Sequence, residues 1–394
     1  MSTRAGVGLS QTGDAVEAAR EAARAALDGI GEPRADWGLV FATAPHRPHF
    51  APMLAAVQAT LGTGSLSGCS GYGVVGAGSE VEGDKAIAVL AVRSDRIHGE
   101  PHLMAAAEDH GLAATRAIGH RIAAEGGVLV ALPDPFAIPP QHMLHELHAT
   151  APGLPAIGAA ASAGPRAGST FQFHGRNVAT RALAALHLTG AVRLRVGITQ
   201  GCQPLGPECR VSRCHENAVF ELDGSPALEV LRARLPAGLG DAIEMLGGHL
   251  FVGLPPDPAA SRILPGEYLV RPLVAVDPER QALILGDGVR EGQLLIFVLR
   301  EGQAARDDLK EMLARLASDP GHHAFGLYFN CAGRGSSLYG LPGIDSAFMA
   351  RQFGQLPIAG FFGNAEIAPL HGVNQLFTYT GVLALFGEEP QSAR

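Results

Sequence analysis

The feature that most restricts the fold of this chain is a recurrence. An apolar run, a loop rich in turn residues, an apolar helical stretch and a second apolar run bordered by small residues follow one another three times. The first copy has an apolar run at 39–43, a helical stretch around 53–61, the segment Leu66-Ser67-Gly68-Cys69-Ser70-Gly71 and a further run at 86–92. The second goes from 127–132 through a helix at 141–148 to 154–159. The third goes from 325–329 through a helix at 347–353 to 358–362, then out along 380–386. Short apolar runs bounded by Gly and Pro read as buried strands, so the predicted class is α/β, with mixed layered sheets built from repeated strand-helix-strand units. In layered α/β proteins ligands gather at strand ends. The third copy places Gly363, Asn364 and Glu366 directly after its apolar run.

At 394 residues the chain is long enough for two domains. The turn at Asp223-Gly224 is the expected boundary, giving 34–222 and 223–388. Hydrophobic residues make up 47% and charged residues 17%, which excludes a disordered or fibrous chain. The net charge is -8, and Lys85 and Lys310 are the only lysines. Without a basic stripe, nucleic acid is not an expected partner. No apolar run reaches the roughly 18 residues of a membrane span, so no membrane role is expected either. Five cysteines in a core-rich chain fit a reduced cytoplasmic setting better than a disulfide framework. The alanine-rich segment 1–26 reads as a surface helix, and 101–125 as helix interrupted at Gly111.

Several motifs invite chemistry that their context does not support. Gly71-Tyr72-Gly73-Val74-Val75-Gly76 matches a dinucleotide fingerprint by letter, but turn and acidic residues follow it where a helix must open. His142, His145 and His148 share a helix face, with Glu146 one residue short of zinc-protease spacing. Cys202, Cys209 and Cys214 lack the paired knuckle of a structural zinc site. No metal or cofactor is therefore expected. Asp307 and Asp308 are read as the acidic start of a helix. Arg334, between Gly333 and Gly335, has two readings. Its planar fork suits a ligand carboxylate, or it bridges to Glu366 and holds two loops together.

The segments GCSGYGVVGAG, QGCQPLGP, NAVFELDGSPAL, LPGEYLVRPLVAVDP, FNCAGRG and IAGFFGNAEIAP, in this order, resemble the FIST family over nearly the whole chain. The resemblance implies a bacterial sensory module with N-terminal and C-terminal FIST domains, which binds small ligands, amino acids among them, and signals through an attached or separate partner protein. It carries no established catalytic residues. The expected function is soluble, cytoplasmic signal transduction, with a ligand pocket between the two domains. Asn330, Arg334, Asn364 and Glu366 are expected to meet polar and charged groups of the ligand, Arg334 a carboxylate and Glu366 an ammonium group. Cys69, Ser70, Gln200, Cys202 and Cys331 are expected to line the neighbouring loops. The rival reading is an enzyme acting on a small metabolite with Cys331 or Cys69 as nucleophile.

Overall fold

The computed structural model describes residues 2–106, 109–163, 169–236, 243 and 248–389. Two compact units emerge. One comprises Met1–Ile198, Leu309–Leu376 and Thr380–Arg394, the other Thr199–Asp308 and Phe377–Tyr379.

The first unit is a threefold repetition. Repeat one consists of β1 (Arg4–Ser10), α1 (Ala15–Ile30), β2 (Trp37–Thr43), α2 (Phe50–Leu61), β3 (Leu66–Gly71), the hairpin β4 (Gly73–Gly76) and β5 (Ser79–Glu82), and β6 (Ile87–Arg93). Repeat two has the same order: β7 (Ile97–Ala105), α3 (Leu112–Ile122), β8 (Val128–Pro133), α4 (Pro140–Thr150), β9 (Ala156–Ala159), the hairpin β10 (Gln172–His174) and β11 (Asn177–Ala179), and β12 (Ala182–Gly190). Repeat three opens with β13 (Val192–Gln200), and the chain then builds the second unit before resuming.

That second unit contains β14 (Cys202–Pro204), β15 (Cys209–His215), β16 (Ala218–Leu222), β17 (Ser225–Pro226), α5 (Ala227–Arg234), β18 (Leu250–Leu254), β19 (Leu269–Asp277), β20 (Ala282–Leu285) and β21 (Leu294–Arg300). Its sheet closes on itself. The order β21-β15-β16-β20-β19-β18 returns to β21, which removes sheet edges, and Val219, Leu283, Leu295 and Phe297 fill the interior. Repeat three then continues with α6 (Gly302–Ala317), β22 (Phe325–Cys331), α7 (Ser336–Tyr339), α8 (Ile344–Phe353), β23 (Ile358–Gly363), the hairpin β24 (Glu366–Leu370) and β25 (Val373–Phe377), and β26 (Thr380–Glu388).

The three sheets of the first unit run β1-β6-β2-β3-β10-β11, β7-β12-β8-β9-β24-β25 and β13-β26-β22-β23-β4-β5. Each is centred on one parallel pair, β2/β3, β8/β9 or β22/β23. Each ends in a hairpin supplied by a different repeat. Repeat one gives its hairpin to the sheet of repeat three, repeat two to repeat one, and repeat three to repeat two. Where the three chains cross over, their backbones bond in a ring. Tyr72 N–H donates to Phe362 O (3.2 Å), Ser162 N–H to Ser70 O (3.2 Å) and Asn364 N–H to Ala160 O (3.0 Å).

Registers make positions equivalent across the repeats. Gly68, Gly158 and Gly360 stand beside Val40, Ala131 and Tyr328 in the parallel pairs. A Cβ on any of these glycines would lie 1.9, 2.0 or 1.7 Å from the neighbouring carbonyl oxygen, so only glycine permits the approach. Helices cover one face of each sheet. The alanines of α1, capped by Asp14, pack with α2 over Val40 and Val89, while α6 and α8 cover Tyr328 and Leu383.

Three local expectations are corrected. Residues 4–10 form β1, paired with β6, and the helix begins only at Ala15 with its alanine face buried. In the segment 101–125, the first residues belong to β7, because pairing with β12 outweighs alanine's helix preference, and α3 starts after Gly111. The helix expected to open at Asp307 and Asp308 starts at Gly302, where Glu301 accepts bonds from the amides of Gln303 (2.9 Å) and Ala304 (2.6 Å). The fingerprint-like GYGVVG segment lies in β3 and β4, with the turn at Ala77 and Gly78.

If the repeats depend on close backbone approach, Gly360→Ala costs about 3 kcal/mol and lowers the melting temperature by several degrees. Gly13→Ala, where a Cβ meets nothing within 4 Å, changes stability by less than about 0.5 kcal/mol. Thermal denaturation of both variants checks this.

Candidate functional site

Repeat three carries a buried polar cluster of Tyr328, Asn330, Arg334, Tyr339 and Asp345. Tyr328 and Asn330 alternate along β22 toward the same face, and Asp345, in the first turn of α8, comes to meet them. The Asp345 carboxylate accepts bonds from Tyr328 OH (2.7 Å), Asn330 Nδ2 (3.0 Å) and Tyr339 OH (2.7 Å). Arg334 donates to Tyr339 OH (2.7 Å) and lies 3.6 Å from Asp345. Its guanidinium also sits 5.7 Å from the centre of the Tyr339 ring. Arg334 and Asp345 are fully buried, so each charge depends on the other and on these bonds. Burial, reinforced by the Asp345 charge, holds the Tyr328 hydroxyl well above the usual phenol range; burial raises Tyr339 as well, with Arg334 opposing.

Exchange of hairpins brings further carboxylates here. The hairpin of repeat one supplies Glu80 and Glu82 to the sheet of repeat three. Glu82 accepts from Ser336 N–H (2.9 Å) and Ser336 OH (3.0 Å). Glu80 is pushed up to about 8, mainly by burial and then by the charges of Asp345 and Glu82, with the amides of Gly343 and Ser346 opposing.

Glu366, at the start of β24, is fully buried. Its Oε2 accepts from Thr380 OH (2.9 Å), while Oε1 has no hydrogen-bond partner. Burial pushes its carboxyl up to about 8, against the Thr380 bonds and the attraction of Arg334. Register places Glu366 opposite Ala159, Gln172 opposite Cys69 and Val74 opposite Phe361, so these three residues occupy equivalent positions. Only repeat three puts a carboxylate there.

The residues singled out from sequence separate into three groups. Asn330, Arg334 and Glu366 belong to the polar surroundings just described, and Cys331 ends the same strand, buried beside Gly363. Ser70 and Asn364 serve the crossing point. Ser70 OH donates to Ser162 O (3.0 Å) and accepts from Phe171 N–H (3.0 Å), while the exposed Asn364 donates through Nδ2 to Ala161 O (3.0 Å). Cys69 is buried in β3, and burial pushes its thiol well above the usual range, the reverse of what a nucleophile needs. Gln200 and Cys202 belong to the second unit. Gln200 donates from its backbone to Asp308 (2.7 Å) and from Nε2 to Gly266 O (3.2 Å) and Tyr268 O (3.0 Å), and Tyr268 OH donates to Cys202 O (3.2 Å). Sequence reading missed Asp345, Tyr328, Tyr339, Thr380 and Glu80. The one available signal was the acid just after Gly343, at a helix start that covers the strand carrying Asn330.

Residues 36–225 match the FIST N domain and residues 227–369 the FIST C domain. The chain belongs to the FIST family. FIST domains are associated with signal transduction and small-ligand sensing. The junction between the two FIST segments falls next to β17, inside the stretch that builds the second compact unit. This FIST protein is 32% identical over 388 residues to an uncharacterized protein of Mycobacterium tuberculosis strain H37Rv, covering 97% of this chain and 99% of the relative. It is 29% identical over 387 residues to an uncharacterized protein of Mycobacterium bovis, covering 98% and 99%. Among solved structures, cyanuric acid hydrolase from A. caulinodans aligns at 12% identity with a TM-score of 0.28, covering 48% of this chain and 71% of that one. Among the described residues, no helix is long and apolar enough to cross a membrane.

Two outcomes test this geometry. Asp345→Asn, which removes the buried carboxylate charge 3.6 Å from the Arg334 guanidinium, destabilises by about 3–5 kcal/mol in denaturant unfolding. Glu366 also makes stability depend on pH. Its folded pKa of about 8 exceeds the reference 4.5, so the folded state holds the proton more tightly. The associated stability is fully present below pH 4.5 and is lost as pH rises through about 8. Glu366→Gln, which installs the residue that repeat two already has, removes this slope. The stability difference, variant minus wild type, should grow between these limits by a few kcal/mol at most. A flat difference curve contradicts it.

Proposed function

We propose that this FIST protein senses a small ligand bearing a cationic amino group, amino acids being the leading class, with Glu366 as acceptor. The observation that carries this reading is the orphaned Oε1 of a fully buried carboxylate. Leaving such an oxygen unpaired costs on the order of 1–3 kcal/mol, and an ammonium group would both satisfy it and favour release of the Glu366 proton. A ligand carboxylate would meet Arg334, displacing part of its bonding to Tyr339, with Asn330 and Cys331 beside it. Because Glu366 and Arg334 are enclosed, a ligand reaches them only when the surrounding strands and loops part. Binding is thereby tied to a change of conformation that a separate signalling protein can read.

Thermal melts against a panel of amino acids and amines test the proposal. At about a hundred times the dissociation constant a true ligand adds roughly 2.7 kcal/mol, a shift of several degrees. Glu366→Gln should weaken that ligand by about tenfold or more. The reading fails if no compound shifts the melt at millimolar concentration, or if the variant responds as the wild type does.

A further inference from the structure

A second site candidate is built from other elements, in repeat two. A cavity of about 320 Å³ lies between β7, α3 and β10. Leu103, Met104 and Ile118 give it an apolar wall. Its polar lining is Glu100 and His102 from β7, Arg121 from α3 and His174 from β10. Volume at this scale suits a small organic molecule.

His102 is the informative residue. It is only 8% exposed, and its Nε2 makes no hydrogen bond. The nearest acid, Glu100, holds its oxygen 3.9 Å from that nitrogen and is engaged instead by Arg121 NH2 at 2.6 Å. An enclosed imidazole nitrogen without a partner is a standing cost unless something occupying the cavity meets it. Arg121 brings a permanent positive charge to the same cavity from α3, beside the carboxylate of Glu100. An anion there can meet both this guanidinium and the unpartnered imidazole nitrogen. We propose that this cavity binds a small organic monoanion, its carboxylate toward Arg121 and His102 and its apolar body against Leu103, Met104 and Ile118. The site is independent of the one at Glu366.

Proton linkage follows from the same arrangement. Burial, with help from Arg121, His187 and His174 and against Glu100, keeps His102 below the usual imidazole range and therefore neutral near pH 7. A bound anion favours the protonated ring. Affinity rises as pH falls.

Benzoate is the probe, and benzamide its uncharged counterpart. Calorimetric titration of the full chain should show benzoate binding with a dissociation constant of about 1 mM or tighter. Binding should be at least about threefold tighter near pH 5.5 than near pH 7.5. Benzamide and the exposed-site variant Arg121→Gln should each weaken binding by about tenfold, whereas Glu100→Gln, which releases Arg121, should strengthen it. His102→Phe should abolish the pH dependence. Glu366→Gln should leave benzoate binding unchanged, which separates this site from the sensory one. The proposal is overturned if benzoate gives no heat at about 20 mM at either pH. Equal binding of benzamide, or an unaltered affinity in Arg121→Gln, also overturns it.

Discussion

Three backbone hydrogen bonds, donated by Tyr72, Ser162 and Asn364 to carbonyls in three different repeats, hold the first unit's architecture in place. They mark where each repeat surrenders its hairpin to another repeat's sheet. A parallel pair extended by antiparallel strands on one side only would leave an exposed edge on the other, and the borrowed hairpin covers it. Because the exchange is cyclic, no repeat completes its sheet alone. The glycines at 68, 158 and 360 serve the same end, letting each parallel pair approach with carbonyl oxygens where side chains would otherwise stand.

The polar cluster of repeat three is a consequence of that exchange. Glu80 and Glu82 reach the loop bearing Arg334 and Ser336 only because repeat one's hairpin lies in repeat three's sheet, and Glu366 is enclosed because its own hairpin is carried to repeat two. Two carboxyls then find themselves where burial outweighs a neighbouring guanidinium or helix amides, and both are pushed up to about 8. One fully satisfied acid, Asp345, stands among them with three donors.

Much of this was legible from the chain. The threefold recurrence of apolar runs located the central strands and crossover helices, since a buried strand and an amphipathic helix each leave a local period. The four-residue strands around Val74 and Val81 left none, and nothing local reveals whether a hairpin pairs with its own sheet or another's. Residues 4–10 and 101–105 read as helix by composition but pair as strands, because the partner strands β6 and β12 are distant in sequence. At the site, Arg334 and Glu366 stood out by their glycine-flanked loop and strand-end positions. Asp345 did not, since an acid at a helix start is ordinarily a solvated cap. Ser70 and Asn364 looked like ligand groups because the need for polar side chains at a crossing of three backbones cannot be seen in one segment.

The account stands on Glu366 being an enclosed acid that still carries its proton close to neutrality. Carbon-13 NMR of the Glu366 side-chain carboxyl, assigned by comparison with Glu366→Gln, follows that proton directly. The chemical shift should move with a midpoint near 8. A midpoint close to the reference value of 4.5 would show that solvent reaches the carboxylate, and the account would be wrong.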